Sequence, residues 1–94
     1  MLSQHELDLA QKKIRRMKLV NVSFDPNLEV NYFFQCDAQR KDEKFTICIL
    51  RDKNRTIKGI GVAAKNPIDS LNPMTGEDIA FSRAVENLFS PSFI

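Results

Sequence analysis

The stretch FTICILRDKNRTIKGIGVAAK, residues 45–65, decides the fold. Phe45, Ile47 and Ile49 fall on one side of an extended chain and Cys48 and Leu50 on the other, so this strand reads as covered on both sides. Asp52-Lys53-Asn54-Arg55 is a hairpin turn, because Asp and Asn bond locally to their own backbone. Thr56 to Lys65 then returns beside the first strand. A connection this short makes the pair antiparallel. Gly59 and Gly61 are two apart and share a face with Ala63, so a packed helix or a ligand approaches the sheet closely there.

Moving toward the N-terminus, Ala38 to Lys44 is a charged loop. Leu28, Val30, Tyr32, Phe34 and Cys36 alternate with polar Glu29, Asn31 and Gln35, the pattern of a half-buried strand. Asp25-Pro26-Asn27 is a turn. Val20, Val22 and Phe24 alternate before it and read as a further strand. Ser3 and Glu6 form an S-x-x-E capping box, with Leu2 and Leu7 placed as a hydrophobic staple. Leu7, Ala10, Ile14 and Met17 then share one helical face, with Gln11, Lys12, Arg15 and Arg16 opposite.

Toward the C-terminus, Asn66-Pro67 ends the last strand. Either Asn72 with Pro73, or Thr75 with Asp78, caps a closing helix. Glu77 and Asp78 suit its N-terminal dipole. Phe81, Ala84, Val85, Leu88 and Phe89 make its apolar stripe, and Ser90-Pro91 stops it. The sequence therefore predicts a single α-β-β-β-β-α domain over residues 1–94. It is of α+β class, with a four-stranded antiparallel sheet and the N- and C-terminal helices on one face.

Composition narrows the function classes. The 94 residues are 43% apolar and 28% charged, which is globular rather than disordered. A net charge of +2 is weak for general polyanion binding. Cys36 and Cys48 lie in strands without a CxxC or metal-ligand spacing and read as buried free thiols. No apolar run is long enough for a membrane span and no signal-peptide pattern opens the chain, so a cytoplasmic location is the expectation.

Gly59-Ile60-Gly61-Val62-Ala63-Ala64 fits G-x-G-x-x-A, but its glycines lie inside a strand and Asn66-Pro67 stands where a helix has to open. It is not a dinucleotide fingerprint. His5 is the only histidine, with no local route to either cysteine. Asp69, Glu77 and Asp78 have turn and helix-start roles that explain them without a metal. An enzyme is not expected, nor is a cofactor. Two sets of residues hold more interest. Arg15 and Arg16 either cap and solvate the first helix or meet a phosphate. Arg83 either pairs with Asp69 to pin the Asn66-Pro67 loop, or grips a phosphate bidentately while Asn66 reads a base or ribose edge.

The segment GIGVAAKNPIDSLNPMTGEDIAFSRAVENL, Gly59–Leu88, combines a small-residue strand, an Asn-Pro-x-Asp turn, a glycine and a helix reading I-A-x-x-R-A. It resembles the phage anti-defence family that inhibits Thoeris immunity by sequestering a cyclic ADP-ribose-type signal. The resemblance implies an α+β fold, a homodimer or higher homo-oligomer, nucleotide sites at subunit contacts, and binding of a small cyclic nucleotide without cleavage, in the host cytoplasm. Asn66 and Arg83 match the family's ligand-contacting Asn and Arg in spacing. No motif fixes the family's stacking aromatic, for which Tyr32 and Phe45 are candidates, and Arg15 and Arg16 carry no alignment. The chain is also shorter than typical members. The same segment resembles a bacterial family of small double-stranded-RNA-binding-like domains of unknown function.

Three readings follow. The first is a cyclic nucleotide sponge using Asn66, Asp69, Arg83, Arg15 and Arg16. The second is a nucleic-acid-binding module, disfavoured by the acids interleaved with Lys41, Lys44, Arg51 and Lys53. The third is a protein-blocking inhibitor presenting Phe89, Phe93 and Ile94.

Overall fold

The computed structural model describes residues 2–36, 44–65 and 76–90. Helix α1 spans Gln4–Arg16, strands β1, β2 and β3 span Glu29–Cys36, Lys44–Arg51 and Ile57–Lys65, and helix α2 spans Gly76–Phe89.

The start of α1 follows from its capping box. Glu6 N–H donates to Ser3 Oγ at 3.2 Å, and Ser3 N–H donates back to Glu6 Oε1 at 2.9 Å. Leu2 is buried and Leu7 packs against the core. The helix ends in a Schellman motif without glycine. Lys18 sits at φ 56°, its N–H donates to Arg15 O, and Leu19 N–H reaches back to Ile14 O.

The sheet has three strands in the order β1-β2-β3, all antiparallel, and this corrects the four-stranded expectation. The missing strand is Val20–Phe24. Positive φ at Lys18 and Asn21 (60°) breaks the extended run at its start. Val20 is 77% exposed and joins no ladder. Only Phe24 is buried, with its ring edge-on to Phe81 at 6.4 Å between centroids. The apolar alternation there seats one anchor rather than building a strand.

The β2–β3 hairpin is organised by Asp52. Its carboxylate accepts from the backbone N–H groups of Asn54 and Thr56 at 2.8 and 3.0 Å. Those bonds, Thr56's foremost, hold its carboxyl below the usual range.

Register assigns the faces. Cys48, Leu50 and Ala63 are buried beneath α2, as are the glycines of β3. A Cβ on Gly61 would overlap Ala80 O and Ala84 N, and one on Gly59 would overlap Ala84 O. The element that approaches the small-residue face is therefore α2. Phe81, Ala80, Ala84 and Val85 are fully buried there. Burying a side chain such as Phe81 contributes about 1.5–3 kcal/mol. Helix α1 packs on α2 and reaches the sheet through Tyr32, whose hydroxyl donates to Glu6 at 2.6 Å.

The opposite face carries Phe33, Ile47, Ile49, Ile60 and Val62 and, among the described residues, has no helix over it. The expectation that both sides of β2 are covered thus holds for one side only among the described residues. Phe33 and Val62 are 48% and 44% exposed.

Candidate functional site

The two helices meet along a groove of about 220 Å³. Helix α1 supplies His5, Leu9, Lys12, Lys13 and Arg16, and α2 supplies Asp78 and Ser82. The α1 residues recur at i, i+4, i+7, i+8 and i+11, which places them on one helical stripe. This stripe lies beside the buried one of Ala10 and Ile14, so burial of that face aims the cations at α2.

Two of the α1 side chains in the groove are paired with carboxylates of α2. His5 Nε2 lies 2.9 Å from Asp78 Oδ1, and Lys13 Nζ lies 3.2 Å from Glu86 Oε2. Lys12 and Arg16 are exposed and make no ion pair among the described residues. The lining holds three cations against one carboxylate, with a serine hydroxyl opposite them. Such a set can accept an anion, with charge from the Lys and Arg side chains and a hydrogen bond from Ser82.

Of the sequence-predicted residues, Arg16 is in this groove. Arg15 is exposed on α1 but does not line it. Arg83 lies elsewhere. Its Nη1 donates to the carbonyl oxygen of Val62 at 2.7 Å, across a separate hollow of about 240 Å³ that includes Glu86, Asn87 and Ser90. Asn66 and Asp69 lie outside the described residues.

Neither aromatic candidate lines the groove that holds Arg16 or the hollow that holds Arg83. Tyr32 is half-buried and its hydroxyl is committed to Glu6. Burial, followed by that hydrogen bond, raises its ionisation well above the ordinary value. Phe45 belongs to the open sheet face. Phe89 packs against the core, and Phe93 and Ile94 lie outside the described residues.

Of the groove lining the sequence put only Arg16 in a site, so His5, Leu9, Lys12, Lys13, Asp78 and Ser82 were missed. The signal was present in the spacing of His5, Leu9, Lys12 and Arg16, which marks a second stripe beside the apolar one. Among the described residues no cluster of His, Cys, Asp and Glu could hold a metal ion. Cys48 is a free, fully buried thiol, and burial pushes it up to about 12. No helix among the described residues is long and apolar enough to cross a membrane.

Fold and groove together define a small α+β domain with paired helices on one side of a three-stranded antiparallel sheet. The chain belongs to the Rv2632c-like family, whose model matches residues 34–91, more than half of its length. No curated protein and no solved structure is significantly similar to it. The family match runs from β1 to just past α2, so it takes in Gly59–Leu88 and leaves out α1 with its half of the groove.

Proposed function

We propose that this chain is a binding protein that holds a small phosphate-bearing ligand between α1 and α2, and that the ligand is a cyclic nucleotide signal which it sequesters without cleaving. The observation that carries the reading is the two cations, Lys12 and Arg16, that make no ion pair among the described residues, on one wall of the groove, with Ser82 on the other. The likeness of Gly59–Leu88 to the anti-Thoeris family supplies the ligand class. At about 220 Å³ the groove is smaller than the roughly 300–1,000 Å³ usual for small-molecule pockets. It accommodates a phosphate and its sugar, with the base outside.

A thermal-shift screen against cyclic ADP-ribose isomers and cyclic oligonucleotides tests this, because a tight ligand raises apparent stability. A shift that disappears in Lys12→Ala/Arg16→Ala and survives in Arg83→Ala supports the groove. A shift lost only in Arg83→Ala moves the ligand to the β3 hollow. No shift with any of these compounds removes the reading.

One observation favours a second reading. Arg15 and Lys18 are exposed and extend the basic run of α1 beyond the groove. Such a run meets the phosphates of duplex RNA by charge and shape. Binding of that kind weakens steeply with salt. A gel shift with duplex RNA at two salt concentrations separates it from a small-molecule site.

A further inference from the structure

The two edges of the sheet are treated differently. On β3 two of the outward backbone groups are engaged by α2. Ile60 N–H donates to Asn87 Oδ1 at 3.1 Å, and Val62 C=O accepts from Arg83 Nη1. On β1, at the other edge, no side chain among the described residues does the same.

Those two bonds also fix which groups β1 presents. In an antiparallel strand the N–H and C=O of one residue point to the same side, and the side alternates along the chain. Ile60 and Val62 point outward, so Gly59, Gly61 and Ala63 bond to β2. Their partners Leu50, Cys48 and Thr46 therefore face β3, which leaves Phe45, Ile47 and Ile49 facing β1. Their partners Gln35, Phe33 and Asn31 face inward in turn. The outward groups of β1 are consequently those of Val30, Tyr32 and Phe34.

The side chains along this edge do nothing to deter pairing. Val30 to Gln35 contains no charge and no proline, the usual protections of an exposed edge. Phe33 and Phe34 are 48% and 68% exposed, one on each face of the same strand.

We infer that β1 pairs antiparallel with β1 of a second copy of this chain, about a two-fold axis through Phe33, to give a continuous six-stranded sheet. The alternation of outward groups requires that partners share a face, so both helix layers lie on the same side. In this register Tyr32 stands opposite the partner's Phe34, exchanging backbone hydrogen bonds. Phe33 stands opposite its own copy, and Asn31 opposite the partner's Gln35. Every exposed aromatic of the edge gains an aromatic neighbour, a favourable cross-strand pairing, and no charges meet between Val30 and Cys36. That self-complementarity selects a second copy over an unrelated strand.

The inference does not depend on the ligand in the groove, and either can fail alone. Sedimentation of the full chain from low to high micromolar concentration tests it. A dimer is the expected species, and Phe33→Lys, which sets two lysines face to face, weakens it by about 100-fold. Val62→Lys, exposed on the same sheet face but on β3, leaves the dimer intact. In a Cys36→Ser background, Phe33→Cys forms an intermolecular disulfide on oxidation, since a non-hydrogen-bonded pair places Cα atoms about 4.5 Å apart, within disulfide reach. A monomer at every concentration overturns the inference. So does a dimer that survives Phe33→Lys, or one that Val62→Lys dissolves, or the absence of that disulfide.

Discussion

Arg83 Nη1 lies 2.7 Å from the carbonyl oxygen of Val62, so the arginine of the closing helix is bonded to the edge of the sheet. Asn87, one helical turn further on, takes the N–H of Ile60. Together they occupy two of the groups that a foreign strand would use.

Removing both caps exposes that edge. Arg83→Ala/Asn87→Ala is expected to cost about 1–2 kcal/mol in denaturant unfolding, since each exposed hydrogen bond contributes about 0.5–1 kcal/mol. It is also expected to bring concentration-dependent light scattering as a second edge opens. Unchanged unfolding and clear solutions would show that the two bonds contribute neither stability nor protection.

Gly61 admits no side chain. Ala80 O and Ala84 N, both backbone atoms, stand where its Cβ would go. Gly61→Ala is expected to cost about 3 kcal/mol or more, at the upper end of overpacking effects. Ala64, on the exposed face of the same strand, takes a Ser substitution with little change. Equal effects at both positions, by thermal or urea unfolding, would place α2 elsewhere.

The glycine pair shows what was legible in the sequence. A small-residue face at spacing two announces a close approach, and the periodicity of Phe81 to Phe89 supplies the helix that makes it. The capping box and the hairpin at Asp52 are local rules, and they appear where the residues place them. Val20 to Phe24 misled because alternation records which side chains point together, without recording whether a neighbouring strand exists. The groove depended on packing. Lys12 reads as solvated helix charge, and Arg16 as either that or a phosphate contact, until α2 stands beside them.

Stability is expected to fall on the alkaline side. Burial pushes Cys48 up from 9.0 to about 12, and burial with the Glu6 hydrogen bond raises Tyr32 above its ordinary 10.0. Both groups hold their protons more tightly when folded. The contribution of Cys48 is fully present below pH 9.0 and is lost as pH climbs from there toward about 12, and that of Tyr32 is lost as pH rises above 10.0. Urea unfolding at about pH 8 and about pH 10 measures it. Cys48→Ala flattens the early part of the fall, and a slope unaffected by that change assigns the effect to other groups.

Lys18 carries the turn out of α1 at φ 56°, a conformation costing a non-glycine residue about 1–2 kcal/mol. Its backbone closes the Schellman bonds to Arg15, and its side chain is exposed, so the residue type matters only through the backbone. Lys18→Gly relieves that strain but adds freedom to the unfolded chain, for a net gain of about 0.5–1 kcal/mol. Lys18→Val, a β-branched residue in the left-handed region, is expected to lose about 1–2 kcal/mol. The same αL kink starts the segment that leads to Phe24 without forming a strand. If valine were tolerated as well as glycine in chemical unfolding, the chain at this point would be extended, and Val20 to Phe24 would be free to join the sheet.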